Sequence, residues 1–444
     1  MSSKKAKEFL LRMVYVEMLG QDASFAYIKA VEMCASNAIS HKRAGYLVAC
    51  LCFSPQHEFR FMLVNQIQRD LMSSNQLEAC AALHSVCKIV TEDMIPAVIG
   101  EVVKLFEHEQ DLVRKKAVLA MHRFYQMDPA SVEPYVDRLT RMICDKDPSV
   151  MAASLQVNHA MILEEPGRFK ELVPSFVSIL KQVIEHRLPR DYDYHRIPAP
   201  WMQMTLMRIL ALLGAGDQSA SEGMYEVLAD AMRRADTGIT AGYAIIYEAL
   251  RAVTTIYPNE VLLDAAATAI SRFIRSDSHN LKYVGIQGLA AIVRDHPRYA
   301  VDHQMAVIDC LLDPDESLKR KTLDLLLRMT NSANVVVIVD KLTVFLQSAT
   351  EESFRTDLVN RITECAERFA PNTFWYVQTM MTVFDLAGDK VKSSTAQTLL
   401  QLIADGEEDD EDEDNEECNT KKLRIDAVED FLTLIEKPVL PPVL

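Results

Sequence analysis

A short phrase of similar residues recurs along this chain at intervals of 36 or 37 residues. Each copy has an aspartate and polar residues, followed by the apolar and basic start of a helix. The intervals run from Leu77 to Val113, Val113 to Val150, Leu281 to Leu318 and Leu318 to Phe354. A fixed period in this range is typical of arrays of helical hairpins, in which each hairpin buries its apolar face against the next. We therefore predict an all-α fold, a right-handed α-solenoid of HEAT- or armadillo-like helical hairpins.

The stretch from Asp313 to Leu346 illustrates one predicted hairpin. Asp313 is expected to cap the first helix and Pro314 to occupy its first position, because both residue types favour those places. The five β-branched residues 335–339 would favour a strand by propensity. We predict a helix for them, because the apolar positions continue at helical spacing and the run exceeds a typical strand.

Composition points to a reduced, cytoplasmic protein. The nine cysteines are an odd number and show no pairing rhythm, which fits an environment where thiols stay reduced. The N-terminus lacks the apolar core of a signal peptide, and no stretch approaches the length and apolarity of a membrane span. We therefore expect no membrane-spanning segment.

The acidity of the chain is concentrated in one block. Ten of the acidic residues lie between Glu407 and Glu417, so the net charge of −16 leaves only −6 for the rest, and nothing supports nucleic-acid binding. We predict a solenoid trunk over residues 1–404, an acidic disordered loop over 405–420, and a continuation of the solenoid over 421–444. Residues 423–435 have the pattern of an amphipathic helix, and the proline-rich end suggests a piece of a longer array.

The sequence contains no recognisable motif for catalysis or nucleotide binding. The sequence has no GxxxxGK[ST], GxGxxG, GxSxG or HExxH arrangement. Asp191, Asp193 and His195 could ligate a metal, but the favoured interpretation is a polar, proline-interrupted loop between repeats. We predict a protein without enzymatic activity, cofactor or metal.

Basic residues cluster at the starts of second helices, for example at 114–116 and 319–321. The favoured role is structural, because HEAT units often place a cation there to bond the aspartate of the neighbouring repeat. The alternative is contact with anionic lipid heads or with acidic groups of a partner. The candidates for that contact are Lys42, Arg43, Arg114, Lys115 and Lys116.

Several stretches resemble a known family. Residues 17–30 (EMLGQDASFAYIKA), 42–47 (KRAGYL) and 68–71 (QRDL) resemble the opening trunk repeats of the large adaptins, the α, γ, δ and ε subunits of adaptor-protein coat complexes. The proline loop at 192–201 (YDYHRIPAPW), with Asp340-Lys341 later in the chain, is most similar to the ε type of the fourth adaptor complex.

The resemblance implies a scaffold that assembles with small σ-type, medium μ-type and large β-type subunits and sorts cargo at the trans-Golgi network. It implies peripheral membrane association through an Arf-type GTPase. By alignment, the GTPase contact falls on Ile28, Val31 and Met62, although these residues could instead fill the repeat core. The runner-up is a generic HEAT-repeat scaffold, such as a transport receptor, or a γ-adaptin of a clathrin adaptor.

Overall fold

A computed structural model of the protein describes residues 3–405, 424–429 and 431–433. The described residues are mostly helical, which confirms the predicted fold class. The chain divides into two compact units, Met1–Tyr257 and Pro258–Leu444. Residues 407–417, the acidic block, lie outside the described residues, and so do parts of the helix predicted over 423–435.

Unit 1 (Met1–Tyr257) contains helices α1 to α15 and two short strands. The helices are α1 Ser3–Met18, α2 Tyr27–Cys34, α3 Ile39–Cys52, α4 Phe59–Leu71, α5 Gln76–Ile89, α6 Ile95–Lys104, α7 Asp111–Met127, α8 Pro129–Val132, α9 Val136–Arg141, α10 Pro148–Glu164, α11 Val173–Ile184, α12 Pro200–Gly214, α13 Gln218–Glu222, α14 Tyr225–Ala235 and α15 Thr240–Val253. Turns of 3-10 helix lie at Ser24–Ala26, Glu92–Met94, Leu105–Glu107, Glu133–Tyr135, Met142–Cys144, Pro166–Leu172 and Arg190–Tyr192.

Unit 2 (Pro258–Leu444) contains helices α16 to α23 over its continuous described part. They are α16 Glu260–Ile274, α17 His279–Asp295, α18 Tyr299–Asp309, α19 Glu316–Met329, α20 Val335–Ser348, α21 Glu352–Phe369, α22 Thr373–Ala387 and α23 Ser393–Asp405, with 3-10 turns at Cys310–Leu312 and Gly388–Lys390. Residues 424–429 and 431–433 are also helical.

Within each unit the helices form hairpins arranged in two layers. In unit 1 the second helices of the hairpins (α3, α5, α7, α10, α12 and α15) pack in sequence order, with α1 against α3 at the start of the row. Each second helix also packs on the first helix of its own hairpin. Unit 2 repeats the arrangement with α17, α19 and α21 as second helices. Side chains buried between the layers form the core.

The hairpin at residues 313–346 departs from its prediction at one end. The cap of α19 is Asp315, whose carboxylate accepts a hydrogen bond from the Leu318 N–H at 2.7 Å. Asp313, the predicted cap, is instead buried and bonded to Lys282 and His279 of α17 at 2.8 and 2.6 Å. The N-cap of α19 therefore lies two residues later than predicted, because the Asp313 side chain bonds the preceding hairpin instead.

The valine run, residues 335–339, is helical, as predicted. It opens α20, where Val335, Ile338 and Val339 are buried and Leu342 continues the same face. Burial against neighbouring helices outweighs the intrinsic preference of β-branched residues for strands, which is small by comparison.

A recurring bond joins successive hairpins inside each unit. In three of the second helices, α7, α17 and α21, the fourth residue is basic and bonds a group 31 residues further on, at the end of the following first helix or in the loop after it. Arg114 of α7 bonds Asp145, Lys282 of α17 bonds Asp313, and Arg355 of α21 donates to the Leu386 carbonyl oxygen at 2.6 Å. Arg114 therefore has the structural role favoured from the sequence, a bond to an aspartate of the neighbouring repeat.

The proline-rich segment between α11 and α12 forms a small hairpin. Its strands, β1 Asp193–Tyr194 and β2 Ile197–Pro198, pair antiparallel, with Tyr194 opposite Ile197. The Tyr194 ring also lies edge-on to Trp201, with centroids 5.3 Å apart. The segment interrupts the helical pattern between repeats, as the prolines predict.

Candidate functional site

The three residues predicted to contact a GTPase lie on the first-helix layer of unit 1. Ile28 and Val31 belong to α2 and Met62 to α4, and these two helices pack against each other. Ile28 is 42% exposed and Met62 is 53% exposed, whereas Val31 is half-buried. The alternative that these residues fill the repeat core therefore does not fit Ile28 or Met62.

Two aromatic residues that the sequence analysis missed accompany them. Phe25 lies in the 3-10 turn ahead of α2, and Phe61 precedes Met62 on α4; both are exposed. We call these apolar residues, Phe25, Ile28, Val31, Phe61 and Met62, the α2–α4 surface. The sequence could have indicated the exposure of Phe61, because Leu63 and Ile67 already form the apolar stripe that α4 buries.

Gly45 brings α2 into close contact with α3. A Cβ atom at Gly45 would lie 2.7 Å from both the Ala30 carbonyl oxygen and the Cys34 nitrogen, so only glycine permits this approach. Tyr27, Ala30 and Met33 consequently form the buried face of α2. Ile28, one residue past Tyr27, points away from that face.

An aromatic cluster holds the turn between α3 and α4. The Phe53 ring stacks on His57 at 5.1 Å, and Tyr27 and Phe59 pack against the same pair. The Tyr27 hydroxyl donates to Glu17 at 2.9 Å. Burial raises the pKa of Tyr27, and the bond to Glu17 raises it further. This cluster joins α2 to the start of α4.

Arg60 fixes the first turn of α4 against the C-terminal ends of α3 and α5. Its buried guanidinium donates to the carbonyl oxygens of Phe53, Lys88 and Ile89, and burial lowers its pKa. Since Arg60 faces inward, Phe61 and Met62 follow on the outer side of the helix.

The candidate basic contacts separate into two groups, and Lys42 and Arg114 form the first. Lys42 is buried and its ammonium bonds Asp70, which also accepts from the Tyr46 hydroxyl at 2.6 Å. Arg114 is buried and makes a bidentate pair with Asp145 at 2.8 and 2.9 Å. Both charges are neutralised inside unit 1, so these two residues are removed from the proposed membrane or partner contact.

Arg43, Lys115 and Lys116 form the second group. Arg43 is exposed, and the two lysines are half-buried. Arg43 and Lys116 line a groove of about 680 Å³ across the second-helix layer, whereas Lys115 does not. The structure thus brings two of the five predicted basic residues together at one groove.

The loop residues Asp191, Asp193 and His195 do not form a metal site. Among the described residues, no group of three or more His, Cys, Asp or Glu side chains is placed to hold a metal ion. His195 instead packs edge-on against the Tyr194 ring, with centroids 4.4 Å apart. The favoured interpretation as a polar loop fits these contacts.

Two layers of helical hairpins, joined by buried cation bonds and carrying exposed apolar residues on their first helices, define a solenoid-type protein. Such folds present long surfaces on which partners assemble. Residues 1–412 match the family model described as the adaptin N terminal region. The chain belongs to the adaptin family.

Individual relatives support the resemblance to the ε type. The chain is 48% identical over 439 residues to "AP-4 complex subunit epsilon" of Arabidopsis thaliana, which covers 99% of this chain and 46% of that protein. It is 42% identical over 433 residues to "AP-4 complex subunit epsilon-1" of Mus musculus, covering 98% and 38%. The resemblance to ε-adaptins is thereby confirmed, and the chain spans less than half the length of these relatives.

Structural neighbours confirm the fold. A chain of a homology model of the full-length AP-3 complex in an intermediate open conformation superposes with a TM-score of 0.64 at 18% identity, covering 97% of this chain and 76% of that chain. A structure of Kap95p with RanGDP gives a TM-score of 0.61 at 12% identity, covering 96% and 55%. In the described part of the chain, no helix is both long and apolar enough to cross a membrane.

Proposed function

We propose that this chain is the trunk of the large subunit of a heterotetrameric adaptor complex that acts by binding, in vesicle-mediated protein transport at the trans-Golgi network. The observation that carries this proposal is the 48% identity to an AP-4 complex epsilon subunit, which extends over 99% of the chain. The expected partners are a small σ-type, a medium μ-type and a large β-type subunit.

Recruitment to the membrane is assigned to an Arf-type GTPase that binds the α2–α4 surface. The exposure of Ile28 and Met62 supports this assignment, because exposed apolar side chains on rigid helices are what a conformation-dependent protein partner can bury. Association with the membrane is then peripheral and depends on the nucleotide state of the GTPase.

Subunit assembly is tested by co-expression of the chain with σ-, μ- and β-type subunits of the fourth adaptor complex and, in parallel, with those of a clathrin adaptor. Stoichiometric co-purification is expected. Assembly with γ-type partners of a clathrin adaptor instead, or with none of these subunits, would favour the runner-up functions, a γ-adaptin or a generic HEAT-repeat scaffold.

GTPase binding is tested by substituting Ile28→Asp and Met62→Asp together. Both side chains are exposed, so we expect the helical content to be unchanged while retention on a GTP-loaded Arf column falls at least about tenfold. The matched control is Leu163→Asp on α10, a leucine that is 60% exposed. Unchanged retention of the double variant would contradict the assignment without affecting the subunit-assembly proposal.

A further inference from the structure

A second surface of unit 1 lies on the other helix layer. The groove of about 680 Å³ runs across α1, α3, α5 and α7, which pack side by side in that order. It shares no lining residue with the α2–α4 surface, so its role can be separated experimentally from GTPase binding.

The rim of the groove carries cations without acidic partners. Lys7 of α1, Arg43 of α3 and Lys116 of α7 line it, and none of the three forms an ion pair with any described residue. Their neighbours Lys42 and Arg114 are neutralised by buried aspartates. The groove therefore presents positive charge that the fold itself does not use.

The pKa of His84 on α5 is affected by the same positive charges. Burial lowers the pKa of His84, and the positive charges of Lys116, Lys88 and Arg43 lower it further. Its imidazole is consequently neutral near pH 7, and it adds no charge that would repel the rim cations. An anionic ligand would find three cations and a hydrogen-bonding ring.

Exposed apolar side chains line the same groove. Leu11 of α1, Leu47 of α3 and Leu77 of α5 line it, and they are 41%, 44% and 53% exposed. An exposed apolar strip with a charged rim is characteristic of a protein-binding surface. A phosphate or a lipid head group would neutralise the cations but would leave these three leucines in water.

An amphipathic helix suits this combination of lining residues. It carries an apolar stripe and charged flanks side by side along its length, so it can cover the exposed leucines and direct carboxylates toward the cations in one binding mode.

From this combination of unpaired positive charge and exposed apolar side chains we infer that the groove binds an acidic amphipathic helix of a partner protein. The leucine strip buries the apolar stripe of the helix, and the rim cations pair with its acidic flanks. Arg43 and Lys116 are the cations available for this pairing on α3 and α7.

The test uses a fluorescent designed peptide helix with leucine at every seventh position and glutamate beside each leucine. Binding to the full chain is measured by anisotropy at several salt concentrations, together with a scrambled peptide of identical composition. We expect the helix alone to bind, and its affinity to fall with salt.

Variants locate the binding. Arg43→Glu combined with Lys116→Glu should weaken binding at least about tenfold, since each reversal removes an attraction and adds a repulsion. Leu47→Ser combined with Leu77→Ser should weaken it similarly. Lys115→Glu is the matched control, because it makes the same change on α7 outside the groove, and should alter binding less than about twofold. Circular dichroism checks that each variant is folded.

Three outcomes would overturn the inference. The scrambled peptide could bind as tightly as the helix, or Lys115→Glu could weaken binding as much as the groove variants. Alternatively, vesicles containing anionic phospholipid could bind through Arg43 and Lys116 while the helix does not, which would identify the groove as a head-group site. Absence of binding by the designed helix would equally reject it.

Discussion

Replacing Arg114 with methionine should loosen the contact between α7 and the hairpin that follows it. The Arg114 and Asp145 side chains are only 6% and 9% exposed. Arg114 donates to both carboxylate oxygens of Asp145 and also to the carbonyl oxygens of His108 and Glu109, at 2.9 and 3.0 Å. Methionine fills much of the same volume but makes none of these four bonds.

The expected loss follows from the charge that is left behind. Removing one member of a buried ion pair costs about 3–5 kcal/mol, because the other charge remains without its partner. Asp145 keeps a hydrogen bond from the Asp147 N–H at 2.8 Å. We therefore expect the lower end of that range, about 3 kcal/mol, for opening of the α7–α10 contact.

Hydrogen exchange measured on peptides from α7 and α10 is the appropriate assay, because repeat arrays open locally and a single unfolding midpoint would average over both units. A loss of 3 kcal/mol corresponds to an exchange rate in this region faster by about two orders of magnitude. The control is Lys104→Met, which breaks an exposed pair with Glu101 and should cost at most about 1 kcal/mol.

The pH dependence gives a second readout of the same bond. Burial alone would raise the pKa of Asp145, but hydrogen bonds from Arg114 and from the Asp147 N–H outweigh it, and the pKa lies below its usual value. A depressed pKa means that the stabilisation is present above the pKa of the unfolded carboxyl and is lost as the pH falls through the folded one. The difference between Arg114→Met and the unmodified chain should shrink below about pH 4.

Two results would refute this account. One is an exchange rate for Arg114→Met no faster than that for Lys104→Met. The other is strict additivity of Arg114→Met with Asp145→Asn, since two residues that act through a shared bond must show a coupling energy.

Further predictions concern other parts of the fold. Gly45→Ala should destabilise the α2–α3 contact by roughly 1–3 kcal/mol, because its Cβ would meet the Ala30 carbonyl oxygen at 2.7 Å, and thermal unfolding will measure this. Burial alone would raise the pKa of Asp313, but bonds from α17 outweigh it and hold the pKa at about 2, so Asp313→Asn should abolish a loss of stability that the unmodified chain shows between about pH 4 and pH 2 in acid titration. Burial raises the pKa of the Cys34 thiol, so iodoacetamide at pH 8 should modify the exposed Cys144 well before Cys34, as mass spectrometry will show; equal rates would contradict the burial of α2.

The period of 36–37 residues was sufficient to predict the fold class, because hairpins with one apolar face can be buried only by stacking. The period could not predict where each helix begins. Asp313 and Asp315 are both suitable caps by residue type. The choice between them depends on Lys282, which lies in another hairpin and bonds Asp313 across a distance that only the folded chain defines.

The α2–α4 surface shows a similar limit. Alignment to the family indicated Ile28, Val31 and Met62, but the residues alone left their burial open. Their exposure depends on how α2 and α4 are rotated about their axes. Close contact at Gly45 sets the rotation of α2, and the inward side chain of Arg60 sets that of α4. Both are long-range effects, and they also expose Phe61, which the alignment did not indicate.

The basic clusters show why adjacent residues of one type cannot be interpreted together. Successive residues of an α-helix point about 100° apart, so a run of cations necessarily divides between the buried face and the surface. On α3, Lys42 faces Asp70 in the interior while Arg43 lines the groove; on α7, Arg114 faces Asp145 while Lys116 lines it. The inward cation stabilises the array, and its neighbour is left free to bind a partner. Substituting a whole cluster would therefore combine a loss of stability with a loss of binding, and only substitutions confined to the outward cations can separate the two.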